Sequence, residues 1–309
     1  MAISVEQAIQ CMLERTPVLS SEQVTLERAL GRSLAQNLYA RYSQPPFDRS
    51  PLDGYAVRAE DLVGAAPDTP VILQVVDKLY AGSVANVPVG PGQAVRLMTG
   101  SMIPLGADCV IMQEDTDGGE EEVRIFRSVS ADSNICWEGE EYQAGDLLLP
   151  GGQLIDAAAV AVAAGAGYRM LTVRQRVKAV ILSTGDELQQ PGEDLYPGKI
   201  YDSNAAYLRV SLQQMGVEIL DVCSVKDDTS RISAAINQYI GVADLILTTG
   251  GVSVGQKDLM ESAILQSGGE ILFHGLSMKP GMPTMLSVKD ETLILSLSGN
   301  PFSAAVPFF

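Results

Sequence analysis

The chain has 309 residues, 46% hydrophobic and 19% charged, with 38 acidic against 21 basic side chains and a formal charge of −17. Its length favours two or three compact units, and its apolar fraction is too high for a disordered chain. So acidic a molecule has no general attraction for a nucleic-acid backbone or an anionic membrane, and neither is expected as a partner.

The amino terminus, "MAISVEQAIQCMLERTP", lacks a basic n-region and an apolar h-region, so no signal peptide is expected. No apolar run approaches ~18 residues, so no membrane span is expected either. Cys11, Cys109, Cys136 and Cys223 form no C-x-x-C pair, the pattern of free thiols in a reducing cytoplasm. The single histidine, His274, leaves no imidazole cluster for zinc, and any Ser-His-Asp triad would have to use it.

Val5, Ala8, Ile9, Met12 and Leu13 lie at helical spacing, and a second short helix is expected around residues 26–36. "YSQPPFDRSPLDGYAVRAEDL" breaks the pattern with prolines and predicts a surface loop or extended chain. From about residue 71 to 129, "VILQVV", "AVRLM", "CVIMQE" and "EVRIF" alternate with turns and predict a small β domain. "AGDLLLPGGQLIDAAAVAVAAGAG" brings an Ala-rich helix ending at Gly165. From Val177 the texture becomes strand, helix, strand. "VKAVILS", "VEILDVC" and "DLILTTGG" read as buried strands, each followed by a helix. Right-handed crossovers of this kind predict a parallel, doubly wound α/β sheet.

Ligands of such sheets bind beyond the carboxyl ends of the strands. "STGDEL" (183–188), "TTGGVSVGQKD" (248–258) and "LSGNPFS" (297–303) fall there, each with a hydroxyl and a glycine after an apolar strand. Hydroxyls and close-approaching backbone suit a phosphate or another oxyanion, although one such loop alone is more often just a tight turn. The second loop has Walker spacing between Gly250 and Gly255, but Gln256 occupies the lysine position and Asp258 follows Lys257. Standard NTP hydrolysis is therefore not expected. Asp186, Glu187, Asp202, Asp227, Asp228 and Asp258 gather at the same edge, which suits a bridging hard cation such as Mg2+. Asp202 and Asp228 fit helix N-caps equally well. Lys279 of "MKPGMP" reads as an anion contact or a solvated charge, and His274 as a packed or capping side chain.

"PPFDRSPLDGYAV", "AVRLMTGSMIPLGADCVIMQEDT", "ILSTGDEL", "IYDSN", "DLILTTGGVSVGQKD", "FHGLSMKPGMP" and "SGNPFSA" together resemble the molybdopterin molybdenumtransferases. This is the MoeA family, related to the C-terminal domain of gephyrin, and the match runs in order along nearly the whole chain. The resemblance implies an α/β multidomain fold in three parts. These are an elongated helical part (1–42 and 140–175), an inserted β domain (43–139), and a MogA-like doubly wound α/β/α domain (176–309) that binds the pterin. The family continues into a small C-terminal β domain, which this chain is expected to lack.

The implied activity is insertion of molybdate into adenylylated molybdopterin with release of AMP, assisted by Mg2+. The resemblance further implies a cytoplasmic homodimer, with a MogA-like adenylyltransferase and molybdoenzyme apoproteins as partners. Carried over by motif, Asp53, Thr99, Glu141, Glu187, Asp228 and Asp258 act in the reaction. Ser183, Thr184, Gly185, Asp202, Ser203, Asn204, Thr249, Gly250, Gly251, Ser253, Gly255, Lys279 and Pro301 hold the pterin substrate, and Asp186, Glu187, Asp227 and Asp258 hold the metal. Three positions depart from the family. Glu141 stands for an aspartate, Met282 for the second lysine of "KPGKP", and Ser298 for the first proline of "LPGNP". A weakened or non-catalytic molybdopterin-binding scaffold is the second reading. An unrelated phosphosugar or nucleotide binder is the third, and it leaves "PPFDRSPLDGYAV" unexplained.

Overall fold

The computed structural model describes residues 2–252 and 259–308. Its contacts divide the chain into one unit of Met1–Ala35 with Leu171–Phe309 and another of Gln36–Met170. Helix α1 (Val5–Arg15) starts at a capping box, in which Gln7 N–H donates to Ser4 Oγ at 3.2 Å and Ser4 N–H to the Gln7 side chain at 3.0 Å. After strand β1 (Ser21–Thr25), helix α2 covers Leu26–Ala29 alone. The longer helix expected there stops because Gly31 takes φ +72° and Leu34 bridges to Val173 instead.

In the unit Gln36–Met170, β2 (Leu38–Tyr39) pairs with β8 (Leu147–Leu149), and α3 (Ala157–Gly165) is capped by Asp156. A five-stranded sheet forms from β3 (Gly54–Val57), β4 (Val71–Leu79), β5 (Gln93–Leu97), β6 (Cys109–Met112) and β7 (Glu122–Ile125), in the order β6-β3-β5-β4-β7. Alternation along the strands builds a core on each face. Tyr55, Val57, Leu73, Ile111, Val123 and Ile125 pack on one, and Ala56, Leu79, Val95, Leu97 and Val110 on the other. The sequence predicted a surface loop or extended chain for the segment that holds β3. Strand β3 is interior rather than at the surface, buried at all four residues, with β5 and β6 as its neighbours. Its prolines lie before it, at 45, 46 and 51, and so withdraw no ladder hydrogen bond.

The rest of the chain returns to the first unit. Strand β9 (Met170–Arg174) pairs with β1, and a six-stranded sheet follows in the order β13-β10-β14-β17-β16-β15. Its members are β10 (Lys178–Thr184), β13 (Glu218–Val225), β14 (Leu245–Thr249), β15 (Glu270–His274), β16 (Met285–Lys289) and β17 (Thr292–Leu297). A small ladder of β11 (Leu188–Gln189) with β12 (Ile200–Tyr201) leads into α4 (Ser203–Gln214), capped by Asp202 at 2.9 Å. Helices α5 (Thr229–Tyr239), α6 (Leu259–Ser267) and α7 (Pro301–Phe308) complete it. Ile181, Leu247 and Leu295 pack with α1, α4 and α7, and Val180, Ile246 and Ile294 with α5 and α6.

This is the doubly wound α/β fold expected, with one correction. The sheet is not wholly parallel, because β16 runs antiparallel to both β15 and β17. A two-residue hairpin at Asp290–Glu291 reverses the chain there, with Asp290 at φ +52°. All four cysteines are free, and among the described residues no helix is long and apolar enough to cross a membrane.

Candidate functional site

The order β13-β10-β14 sets a switch point. The chain leaves β10 towards β13 on one side and returns to β14 on the other, which opens a crevice above the carboxyl ends of β10 and β14. A cleft of about 300 Å³ lies there, lined by Thr184, Gly185, Glu187 and Asp227 with Gly250, Gly251, Val252, Pro283, Ser298 and Gly299. The loops after β10, β13, β14 and β17 thus converge on one space.

The glycines make this convergence possible. Gly250 takes φ +89°, and a Cβ there would stand 2.2 Å from the Thr184 carbonyl oxygen. Only a residue without a side chain lets the β14 loop rest against the β10 loop. Gly250 N–H donates to Leu297 O at 3.2 Å, so it is not free for a ligand, and Thr184 Oγ1 donates to Thr249 O at 3.3 Å. A Cβ on Gly299 would lie 3.5 Å from Gly250 Cα, which brings the β17 loop onto the same floor.

Of the residues expected to hold the substrate, Thr184, Gly185, Gly250 and Gly251 line the cleft. Ser183 and Thr249 are buried in the strands beneath it. Asp202 caps α4, Ser203 is the first residue of that helix, and Asn204 donates to Gly299 O at 2.9 Å. Pro301 opens α7, where a missing N–H costs nothing, and Lys279 is exposed and does not line the cleft. The two aspartates left open by the sequence separate. Asp227 lines the cleft, whereas Asp228 caps α5 by accepting from Arg231 N–H at 2.8 Å. Asp186 is exposed, and its carbonyl oxygen takes the Lys199 ammonium. Ser253, Gly255 and Asp258 lie outside the described residues. His274 pairs with Glu261 at 3.2 Å and does not line the cleft. Sequence reasoning did not single out Val252, Pro283 or Gly299, although Gly299 sits in a loop whose glycine was the visible signal.

Asp53, Thr99 and Glu141 belong to the other unit. Thr99 gives Asp53 Oδ1 both its N–H, at 2.7 Å, and its hydroxyl, at 2.8 Å. These two donors hold the Asp53 carboxyl below its ordinary range. Glu141 pairs with Arg49 at 3.4 Å.

Among the described residues, no three His, Cys, Asp or Glu side chains gather closely enough to hold a metal ion unaided. Glu187 and Asp227 nevertheless share the cleft. Magnesium is commonly held by one or two carboxylates with substrate phosphate and water, so this donor set fits it when a phosphorylated substrate is present.

Fold and site together define an α/β ligand-binding domain of the switch-point type, joined to a separate β unit. The comparisons with known proteins make the class specific. The model of the MoeA N-terminal region (domain I and II) matches residues 3–167, and that of a probable molybdopterin binding domain matches residues 180–308. The chain belongs to the MoeA family. It is 36% identical over 306 residues to a molybdopterin molybdenumtransferase of Staphylococcus aureus strain N315, covering 99% of this chain and 73% of that protein. A Staphylococcus epidermidis protein of the same name is 34% identical over the same shares. The crystal structure of a molybdopterin biosynthesis MoeA protein from Pyrococcus horikoshii superposes with a TM-score of 0.88 at 31% identity, covering all of this chain and 77% of that one.

Proposed function

We propose that the chain acts in molybdenum cofactor biosynthesis as a molybdopterin molybdenumtransferase, inserting molybdate into adenylylated molybdopterin and releasing AMP. The observation that carries this reading is the glycine-floored cleft with Glu187 and Asp227 on its wall, in a chain matched along 99% of its length by transferases of that name.

Each described residue then has a task. Gly250 and Gly251 keep side chains off the floor, so that a phosphorylated ligand can approach the backbone. Ser298 presents a hydroxyl oxygen to the ligand's polar groups, while Thr184, its hydroxyl given to Thr249 O, shapes the floor. Glu187 and Asp227 would hold Mg2+ against the ligand's phosphates, where the ion supplies neutralisation of charge on the leaving phosphate. Asp228 fixes the first turn of α5 and so orients Asp227 beside it. Asp258 belongs to the same acidic set by motif. Asp53 with Thr99, and Glu141 with Arg49, act in the reaction as their motifs imply, and the chain works as a homodimer. A MogA-like adenylyltransferase supplies the substrate, apo-molybdoenzymes receive the product, and the cytoplasm is the compartment.

The test is equilibrium binding of adenylylated molybdopterin with and without magnesium, to the native chain and to Glu187→Gln. Magnesium-dependent binding that weakens in the variant is expected. No binding by the native chain would refute the reading. Binding without transfer would favour the scaffold reading.

A further inference from the structure

Asn204 belongs to a motif read as substrate-holding, yet its amide is engaged elsewhere. It is the second residue of α4, only 8% exposed, and is absent from the lining of the cleft. Its Nδ2 donates at 2.9 Å to the carbonyl oxygen of Gly299, 95 positions along the chain. Gly299 and Ser298 do line the cleft, and Gly299 rests on Gly250 Cα.

Other hydrogen bonds restrain the Ser298–Asn300 segment, among them one from Ala304 N–H to Asn300 O at 2.9 Å. Leu297 O, just before it, accepts from Gly250 N–H. Ser298 Oγ accepts from Asn300 N–H at 3.3 Å. Asn300 Oδ1 in turn accepts from Phe302 N–H at 3.1 Å and Ser303 N–H at 3.3 Å, capping α7. These bonds fix the ends of the segment and its local turn. The Asn204 bond is the described side-chain contact that ties Gly299 to a different layer of the domain. The far end of that tether is itself fixed. Asp202 caps α4, and Asp202 N–H donates to Gln189 O at 3.0 Å.

We propose that Asn204 is a positioning residue, one that holds the Ser298–Gly299 wall in register with the Gly250 floor and does not touch the ligand. The proposal rests on the cleft being the substrate site, but its first readout needs no substrate. Small displacements of a site wall disturb the geometry that recognition depends on, so a single buried bond has leverage here.

The experiment compares hydrogen exchange in the ligand-free native chain, Asn204→Ala, and Asn204→Gln, which keeps the amide on a longer arm. Faster exchange in Asn204→Ala confined to residues 297–303, partly reversed in Asn204→Gln, is the expected result. Molybdopterin affinity should fall about three- to tenfold in Asn204→Ala alongside it. Unchanged exchange with lost affinity would overturn the proposal by making Asn204 a direct ligand. Exchange raised throughout the domain would overturn it by making Asn204 a general stabiliser. If the native chain binds no molybdopterin, the functional reading fails, while the exchange comparison still decides whether Asn204 holds the wall.

Discussion

Replacing Gly250 by alanine tests the geometry of the cleft floor most sharply. Alanine must adopt φ +89°, a left-handed conformation that costs an L-residue about 1–2 kcal/mol. Its Cβ would also stand 2.2 Å from Thr184 O and 2.9 Å from Thr184 Oγ1. The first of these is backbone in the neighbouring strand of a close-packed sheet, so relief requires the whole β14 loop to move by roughly 1 Å. That movement strains the bond from Gly250 N–H to Leu297 O, a contribution of about 1 kcal/mol. Together the loss is about 2–4 kcal/mol. Gly241→Ala is the control, because Gly241 has φ +74° but open space around its missing Cβ. The assay is urea unfolding of both variants, following the transition of the α/β unit. A cost for Gly250→Ala within about 0.5 kcal/mol of the control would show that the loop contact is absent and refute the reasoning.

Gly185→Ala perturbs the same cleft differently. Its Cβ would lie 2.7 Å from the Glu187 carboxylate, the mobile end of a side chain, so the carboxylate swings away. Gly185 also takes φ +152°, which an L-residue rarely adopts, so the variant should lose about 1–3 kcal/mol of stability as well as magnesium-dependent binding, and unchanged magnesium-dependent binding would contradict this placement of Glu187. Asp228→Ala should cost about 1 kcal/mol of stability as a lost helix cap, whereas Asp227→Ala should leave stability intact and weaken magnesium-dependent binding. The reverse pattern would exchange their roles. Thr99→Val removes one of the two donors that lower the Asp53 pKa, so that pKa should rise towards 3.8. A depressed carboxyl stabilises the fold above its ordinary pKa and loses that contribution as pH falls through the folded value. The variant should therefore show less of this stabilisation in the acid range, and an unmoved Asp53 titration by NMR would count against the hydrogen bonds.

Much of the fold was legible from the chain because burial periodicity is a local signal. "VKAVILS", "VEILDVC" and "DLILTTGG" became β10, β13 and β14, and Asp202 capped α4 as its side chain allows. What escaped depended on tertiary context. Strand β3 hides behind Pro51, and its Gly54 is explained by a neighbour, since a Cβ there would stand 1.9 Å from Ile111 O. Strand β16 escaped because its reversal at Asp290 lacks the usual glycine. At the site, the sequence offered Asp227 and Asp228 as equals. Only the fold tells them apart, since Asp227 lines the cleft while the Asp228 carboxylate accepts from Arg231 N–H. Asn204 was likewise visible as a polar residue in a motif, but its partner Gly299 lies in a segment that only the fold brings near.

The most direct measurement is a single-turnover reaction of the chain with adenylylated molybdopterin, molybdate and magnesium, recording AMP release and molybdenum transfer to an apo-molybdoenzyme. Both should appear together with the native chain, and both should fall at least about tenfold in Glu187→Gln. AMP release and molybdenum transfer equally fast in native and variant proteins would contradict the proposed function, because the reaction would then not run through the cleft that Glu187 lines.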